Sequence, residues 1–526
     1  MSFDFRVQSS SLRPLVFGKN MVASSQPLAV SSALKTLWKG GNAVDAALSA
    51  AMTLTVVEPT MNGISGDAFA MVWDGGKLHG LNSSGKSPST WTPERFSGLK
   101  SMPLRGWESV TVPGQVAGWV ELNNKFGRLD FETLCHDACA AAREGFHVTP
   151  ATAALWENVP ADLKAVPGFL SAFFPSGKAP RCGEVFRYPE QADVLEEIAR
   201  TKGNSFYNGR IASLIAEDAL RNKSALTVND LASHRADWVT PLTVRYGGLD
   251  VHEMPPNSQG LSTLMALGLF SNMRKKGIEF WTLEYIHLQL ECMKLALADA
   301  ESYLSDVDFF PCDPKDYLTT SYWDERIKLI DSSRAKIHAR GIPPGGGTVL
   351  VTVGDSEGMI VSFIQSNWWG FGSGVIVPGT GISLHNRASS FNLEKGHPNE
   401  VGGSKRPFHT LIPGFLTKDG QPLAAFGLMG GTMQAQGHFQ LVCRMEDGSE
   451  NPQTAFDAPR WRIIKGLDVL LEEGFSEEIA FGLQAKGHNV LWRKSIDFGG
   501  AQMVYRIENG YMGASDHRKD GHAAGF

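Results

Sequence analysis

Several things are scarce in this 526-residue chain, and each scarcity excludes a class of function. It has six cysteines, too few for a disulfide framework at this length. Cys135 and Cys139 are four apart, on one face of an expected helix, but no His or second Cys pair completes a zinc pattern. Lysine and arginine total 49 against 55 acidic residues, so no basic face is expected for nucleic acid. No apolar run reaches the length of a membrane span. The start, "MSFDFRVQSSSLRPLVFGKN", carries no apolar core after its first basic residue, which argues against a secretory signal and for a cytoplasmic protein. Also missing are H-E-x-x-H, a phosphate loop, a G-x-S-x-G elbow and any internal repeat. "GFGSGV" (370–375) has glycines but neither the spacing nor the βαβ setting of a dinucleotide turn, and reads as a tight turn.

What is present is the patterning of a globular enzyme, 42% hydrophobic and 20% charged. Before residue 347 the chain reads mainly helical. "PLAVSSALKTLWKGGNAVDAALSAAMTLTVVEP" holds two helices split by Gly40-Gly41, with Asn42 capping the second. "DVLEEIARTKG", "GRIASLIAEDALRN" and "LEYIHLQLECMKLALADAESYL" repeat the helical period, with strand-like pieces between them. After Gly347 three hairpins are expected: "TVLVTV" with "MIVSFIQS", "HTLIPGFLTKDGQPLAAFGLMGG", and "AQMVYRIENGYMGAS". This mixture points to antiparallel sheets sandwiched by helices, an α+β fold.

The first of those hairpins follows "PPGGG". A threonine hydroxyl needs a base beside it, and the α-amine of an N-terminal threonine can be that base. Its reference pKa of about 7.7–8.0 leaves a neutral fraction near neutral pH. Exposing it means breaking Gly347–Thr348: the hydroxyl attacks the Gly347 carbonyl, an ester forms, and water releases two fragments. Glycine on the acyl side tolerates the strained backbone this needs. The alternative is a plain flexible loop before a strand.

Blocks in one order along nearly the whole chain carry a resemblance: "MVASSQPLAVSSALKTLWKGGNAVDAALSAAMTLTVVEPTMNGISGDAFAMV", "VTVPGQVAGWVEL", "NSFYNGRIASLI", "MPPNSQGLSTL", "GTVLVTVGDSEG", "FGSGVIVPGTGISLHNR", "SKRPFHTLIPGFL", "GLMGGTMQAQGH", "APRW" and "YMGASDHRKDGHAAGF". The chain resembles the γ-glutamyltransferase family of N-terminal nucleophile hydrolases. The resemblance implies a four-layer αββα sandwich with antiparallel central sheets. It also implies a proenzyme that cuts itself into a large fragment, 1–347, and a small one, 348–526, which pair as a heterodimer within one domain. A dimer of such heterodimers is left open.

Thr348 then matches the nucleophile, seven residues before Asp355. Gly430 and Gly431 match the oxyanion pair, and Ser366 the second threonine that steadies the nucleophile. Asn367 lies beside the family's asparagine position, one local shift away. The departures bear on substrate. The Gln and Asp that hold a donor's amino group become Arg387 and Ser390, with no carboxylate in replacement. The serines that help hold its carboxylate become His409 and Thr410, and the anchoring arginine falls at Ser84, with Lys86 two residues on. Arg387 is then read as a carboxylate anchor and Trp368 and Trp369 as walls of the pocket. Each has a structural alternative, an ion pair for Arg387 and the core for the tryptophans. The expected activity is hydrolysis of a small carboxylate-bearing amide, oxamate foremost, without metal or organic cofactor. The alternatives are a γ-glutamyl amide, a glutaryl amide of the cephalosporin type, or a non-cleaving binding homologue.

Overall fold

The computed structural model describes residues 13–274, 277–338 and 347–526; the "PPGG" of the cleavage segment, Pro343–Gly346, lies outside them. Fourteen strands form two seven-stranded sheets: β1 (Val16–Gly18), β2 (Met21–Ser24), β3 (Asp67–Trp73), β4 (Leu78–Ser83), β5 (Asp237–Val239), β6 (Leu242–Tyr246), β7 (Leu249–Glu253), β8 (Gly347–Gly354), β9 (Ile360–Trp368), β10 (Gly414–Lys418), β11 (Gln421–Met429), β12 (Gly500–Ile507), β13 (Gly510–Ser515) and β14 (His522–Gly525). One sheet runs β1-β13-β12-β11-β10-β7-β6 and the other β14-β2-β8-β9-β3-β4-β5, with every neighbouring pair antiparallel. Both sheets mix strands from either side of residue 347. The three hairpins expected after Gly347 are β8–β9, β10–β11 and β12–β13.

Side-chain alternation sorts the strands into layers. Leu350, Ile360 and Ile364 face Met21, Phe69, Phe415, Met429 and Val504 between the sheets. The odd residues Val349, Val351 and Val353 turn to the other face, against α1 (Pro27–Trp38) and α2 (Ala43–Val57). On the far side Leu416, Ala424, Phe426 and Met503 meet α3 (Gly260–Arg274), α4 (Leu283–Tyr303) and α5 (Met433–Asp447). The result is a four-layer αββα sandwich. Each fully buried Leu, Ile or Phe of these layers contributes about 1.5–3 kcal/mol.

Two local features aim the chain at the site. Asn42 and Asp45 form the capping box of α2, as its sequence foretold. The Ala43 N–H also donates to Asp355 Oδ2 at 2.8 Å, while Asp355 Oδ1 accepts from Glu357 and Met359. Asp355 therefore pins the β8–β9 turn to a helix N-terminus, where a carboxylate is favoured. That fixes the register of the strand that begins beside Thr348.

Candidate active site

Thr348 lies at a β-bulge. Gly347 pairs with Trp368 and Val349 with Gln365, so Thr348 stands opposite two residues, Ser366 and Asn367. It is buried, and its Oγ1 accepts a hydrogen bond of 3.1 Å from Gln434 Nε2. The Gln434 amide is fixed in turn, because its Oε1 accepts from the Ile412 N–H at 3.2 Å. Ser366 Oγ accepts the Trp368 N–H at 2.7 Å. The Asn367 amide is buried, lies against Gly63, and has no hydrogen-bond partner among the described residues.

Gly430 and Gly431 end β11 just before α5, at φ +129° and +61°, in the half of backbone space that a side chain resists. A Cβ on Gly430 would also stand 3.2 Å from the Gly499 Cα. Their carbonyls accept the Met433 and Gln434 N–H groups of the helix's first turn. Their own N–H groups meet no acceptor among the described residues. Gln259 Nε2 bridges the Gly431 carbonyl (2.9 Å) to the Thr410 carbonyl (2.6 Å), tying this turn to a second group of polar residues.

That second group is centred on Asp67 at the start of β3. Its Oδ1 accepts the Gly85 N–H at 3.0 Å and the Gly114 N–H at 3.3 Å. Its Oδ2 lies 3.1 Å from His409 Nε2, 3.5 Å from His385 Nδ1 and 3.8 Å from Arg387 Nε. All four side chains are fully buried. Burial opposes the Asp67 charge, but His385, His409 and Arg387 outweigh it and hold the carboxyl down at about 2. Burial, then Arg387, pushes His409 down to about 3, so it is a neutral imidazole. Its Nδ1 accepts the Leu411 N–H, so Nε2 carries the hydrogen given to Asp67.

Arg387 has the most unspent donors in this cluster, where His385 Nδ1 also lacks a hydrogen-bond partner among the described residues. Burial lowers it to about 9, against the pull of Asp67, and it remains a cation at neutral pH. Nη1 donates to Thr410 Oγ1 at 3.3 Å, and the guanidinium stacks 4.5 Å from the Trp368 ring. Nε and Nη2 have no hydrogen-bond acceptor among the described residues. Trp368 and Trp369 line an adjoining cleft of about 480 Å³ together with Ser390, Phe391 and Phe408. The Ser390 Oγ is buried there without a partner among the described residues.

The carboxylate beside Arg387 is that of Asp67, some 320 residues earlier in the chain. Sheet pairing brings it in, since Asp67 is the register partner of Ser366. It is engaged by two amides and His409 and is not offered to a ligand. At Ser84 the side chain donates to Asn82, and its carbonyl accepts from Arg406, a guanidinium already paired with Asp237. Asp67, His385, Gln259 and Gln434 all sat within the resembling blocks, but no local signal gave them a role.

Far from the site, His287, Glu291 and His488 place ligand atoms within 4.8 Å of one another. The Lys294 ammonium lies 2.7 Å from Glu291 and 3.3 Å from His488, and His287 Nδ1 lies 2.9 Å from His488 Nε2. The arrangement is that of an ion-pair network. Cys135 and Cys139 share a helix face as expected, buried and with sulfurs 3.5 Å apart. No described helix is long and apolar enough to cross a membrane.

The family model for gamma-glutamyltranspeptidase matches residues 29–526. The chain belongs to the gamma-glutamyltranspeptidase family. It is a hydrolase of the N-terminal nucleophile type. Among solved structures it resembles a cephalosporin acylase from Bacillus halodurans, at 41% identity and a TM-score of 0.94 over 99% of this chain and 98% of that one. The glutathione hydrolase-like YwrD proenzyme of Bacillus subtilis is 34% identical over 97% of this chain and 98% of its own length. The oxamate amidohydrolase proenzyme of Klebsiella pneumoniae is 33% identical over 96% and 98%.

Proposed function

We propose that this family member cleaves itself between Gly347 and Thr348 and then hydrolyses the amide of a small acyl group that ends in a carboxylate. Arg387 carries this reading. A buried guanidinium with two unpartnered nitrogens is costly unless an anion completes it, and Nε and Nη2 have the fork spacing that suits a carboxylate. Gln259 and the pairing of Gly347 with Trp368 link this anchor to the nucleophile.

In the reaction the neutral Thr348 amine takes the hydroxyl proton and Oγ1 attacks the amide carbon. The Gly430 and Gly431 N–H groups, at the positive end of α5, hold the oxyanion. The amine returns the proton to the leaving nitrogen, ammonia or an amine departs, and water hydrolyses the threonyl ester. Gln434 and Ser366 position the hydroxyl; His409, Thr410, Asn367 and Ser390 shape the acyl pocket around Arg387. A γ-glutamyl donor fits poorly, since its ammonium would face Arg387 and the nearby Asp67 is already engaged.

Oxamate, the smallest carboxylate-bearing amide, is the favoured substrate, giving oxalate and ammonia. A glutaryl amide with a bulky amine is the second reading, supported by the aromatic cleft beside Arg387 and the 41% likeness to a cephalosporin acylase. Cleavage should convert the 57.2 kDa chain into fragments of about 38 and about 19 kDa, in proportion to 347 and 179 residues of 526. The smaller should begin Thr-Val-Leu. Thr348→Ala should leave one band and no turnover, and a folded wild-type protein that stays whole would refute the mechanism. Ammonia release from oxamate, set beside turnover of glutaryl and γ-glutamyl anilides, decides the substrate. Robust γ-glutamyl turnover would show the Arg387 reading to be wrong.

A further inference from the structure

The Asp67 cluster holds one cation, Arg387, and one anion, Asp67, in a fully buried setting. A substrate carboxylate completing Arg387 adds a second negative charge that no described cation answers. Uncompensated charge at that depth is expensive, and proteins relieve it by moving protons.

The imidazoles differ in their capacity to take one. His409 has both nitrogens committed, Nε2 to Asp67 and Nδ1 to the Leu411 N–H. His385 has one committed: its Nε2 donates to the Thr111 carbonyl at 3.0 Å, beside the Thr111 hydroxyl at 3.1 Å. That fixes the hydrogen on Nε2 and leaves Nδ1 as a bare lone pair, without a hydrogen-bond partner, 3.5 Å from Asp67 Oδ2. A proton on Nδ1 would place a positive charge 3.5 Å from the Asp67 carboxylate, where the two attract. His234 also has a bare Nε2, but burial and then Arg406 oppose its charge, and it stacks on Tyr207. Tyr207, which also senses Asp67, is held neutral by burial.

Resting on the reading of Arg387 as a carboxylate anchor, we propose that His385 is a positioning residue that takes up one proton at Nδ1 when an anionic substrate binds, restoring the charge balance of the buried cluster. Without ligand, burial and Arg387 both hold His385 below its ordinary value. A bound carboxylate cancels the Arg387 effect and leaves Asp67 to raise it. The sign follows by linkage. A group whose affinity for protons rises on binding makes binding tighter at low pH; affinity falls by up to about tenfold per unit as pH climbs from its free value to its liganded value, and levels off above that.

The test is calorimetric titration of the cleaved wild-type enzyme with oxalate and with glutarate, in Pipes, Hepes and Tris at pH 7. The slope of heat against buffer ionisation enthalpy counts protons. Uptake approaching one proton is expected with whichever dicarboxylate binds. It should vanish in His385→Gln, which cannot be protonated, and persist in His234→Gln. Binding without uptake, or uptake that survives His385→Gln, overturns the proposal while leaving the Arg387 anchor standing. If neither dicarboxylate binds, the anchor reading fails and this proposal with it.

Discussion

Two buried arginine–carboxylate clusters in this molecule use the same residue types to opposite ends. Around Arg518 every donor is spent: Nε and Nη2 on Glu472 at 2.7 and 2.6 Å, Nη1 on Asp516 and the Phe456 carbonyl, Nη2 also on the Ala458 carbonyl. Arg460 adds a second cation on Asp516 at 2.6 Å. Around Arg387 one side-chain hydrogen bond is made, the nearest carboxylate stands 3.8 Å off, and two nitrogens are unspent. Burial opposes both charges, but the Asp516 and Glu472 partners outweigh it and push Arg518 above its ordinary value, while burial pulls Arg387 down to about 9 against Asp67 alone. A saturated buried cation fastens the C-terminal part of the fold. The unsaturated one is the anchor we propose for a substrate anion.

The sharpest way to break the contrast is Arg518→Met. It strands Glu472 and leaves Asp516 with one guanidinium fewer, and should cost about 3–5 kcal/mol in denaturant unfolding. Arg387→Gln should do the reverse, lowering kcat/KM for the true substrate on the order of a hundredfold, mostly through KM, with a stability change under about 1 kcal/mol. Unchanged KM would end the anchor reading. Acid separates the clusters further. Asp67 is depressed in the folded state, so its contribution of about 2 kcal/mol is complete above the unfolded value near 4. It is lost as pH falls through about 2, and Asp67→Asn should flatten that part of the stability profile. The smallest effect belongs to Thr410→Val, which removes the Arg387 hydrogen bond and should raise KM about fivefold, near 1 kcal/mol.

Much of the architecture was legible from local pattern. The Asn42 cap, the Gly40-Gly41 break and the three late hairpins follow from turn chemistry and side-chain period, which act over a few residues. Arg387 was marked by its departure from a family pattern, and the structure finds it buried with spare donors. Asp67, His385, Gln259 and Gln434 stayed silent, because their meaning lies in partners from 86 to 342 residues away.

By itself the sequence determined the fold class, the family resemblance and the threonine that follows a glycine run, all of them set by short-range order. Only the tertiary structure decided which charges are spent. Burial and hydrogen-bond saturation are properties of a residue's surroundings, and here those surroundings are assembled by a β-sheet that lays Asp67 beside Ser366 and brings Arg387 over Trp368.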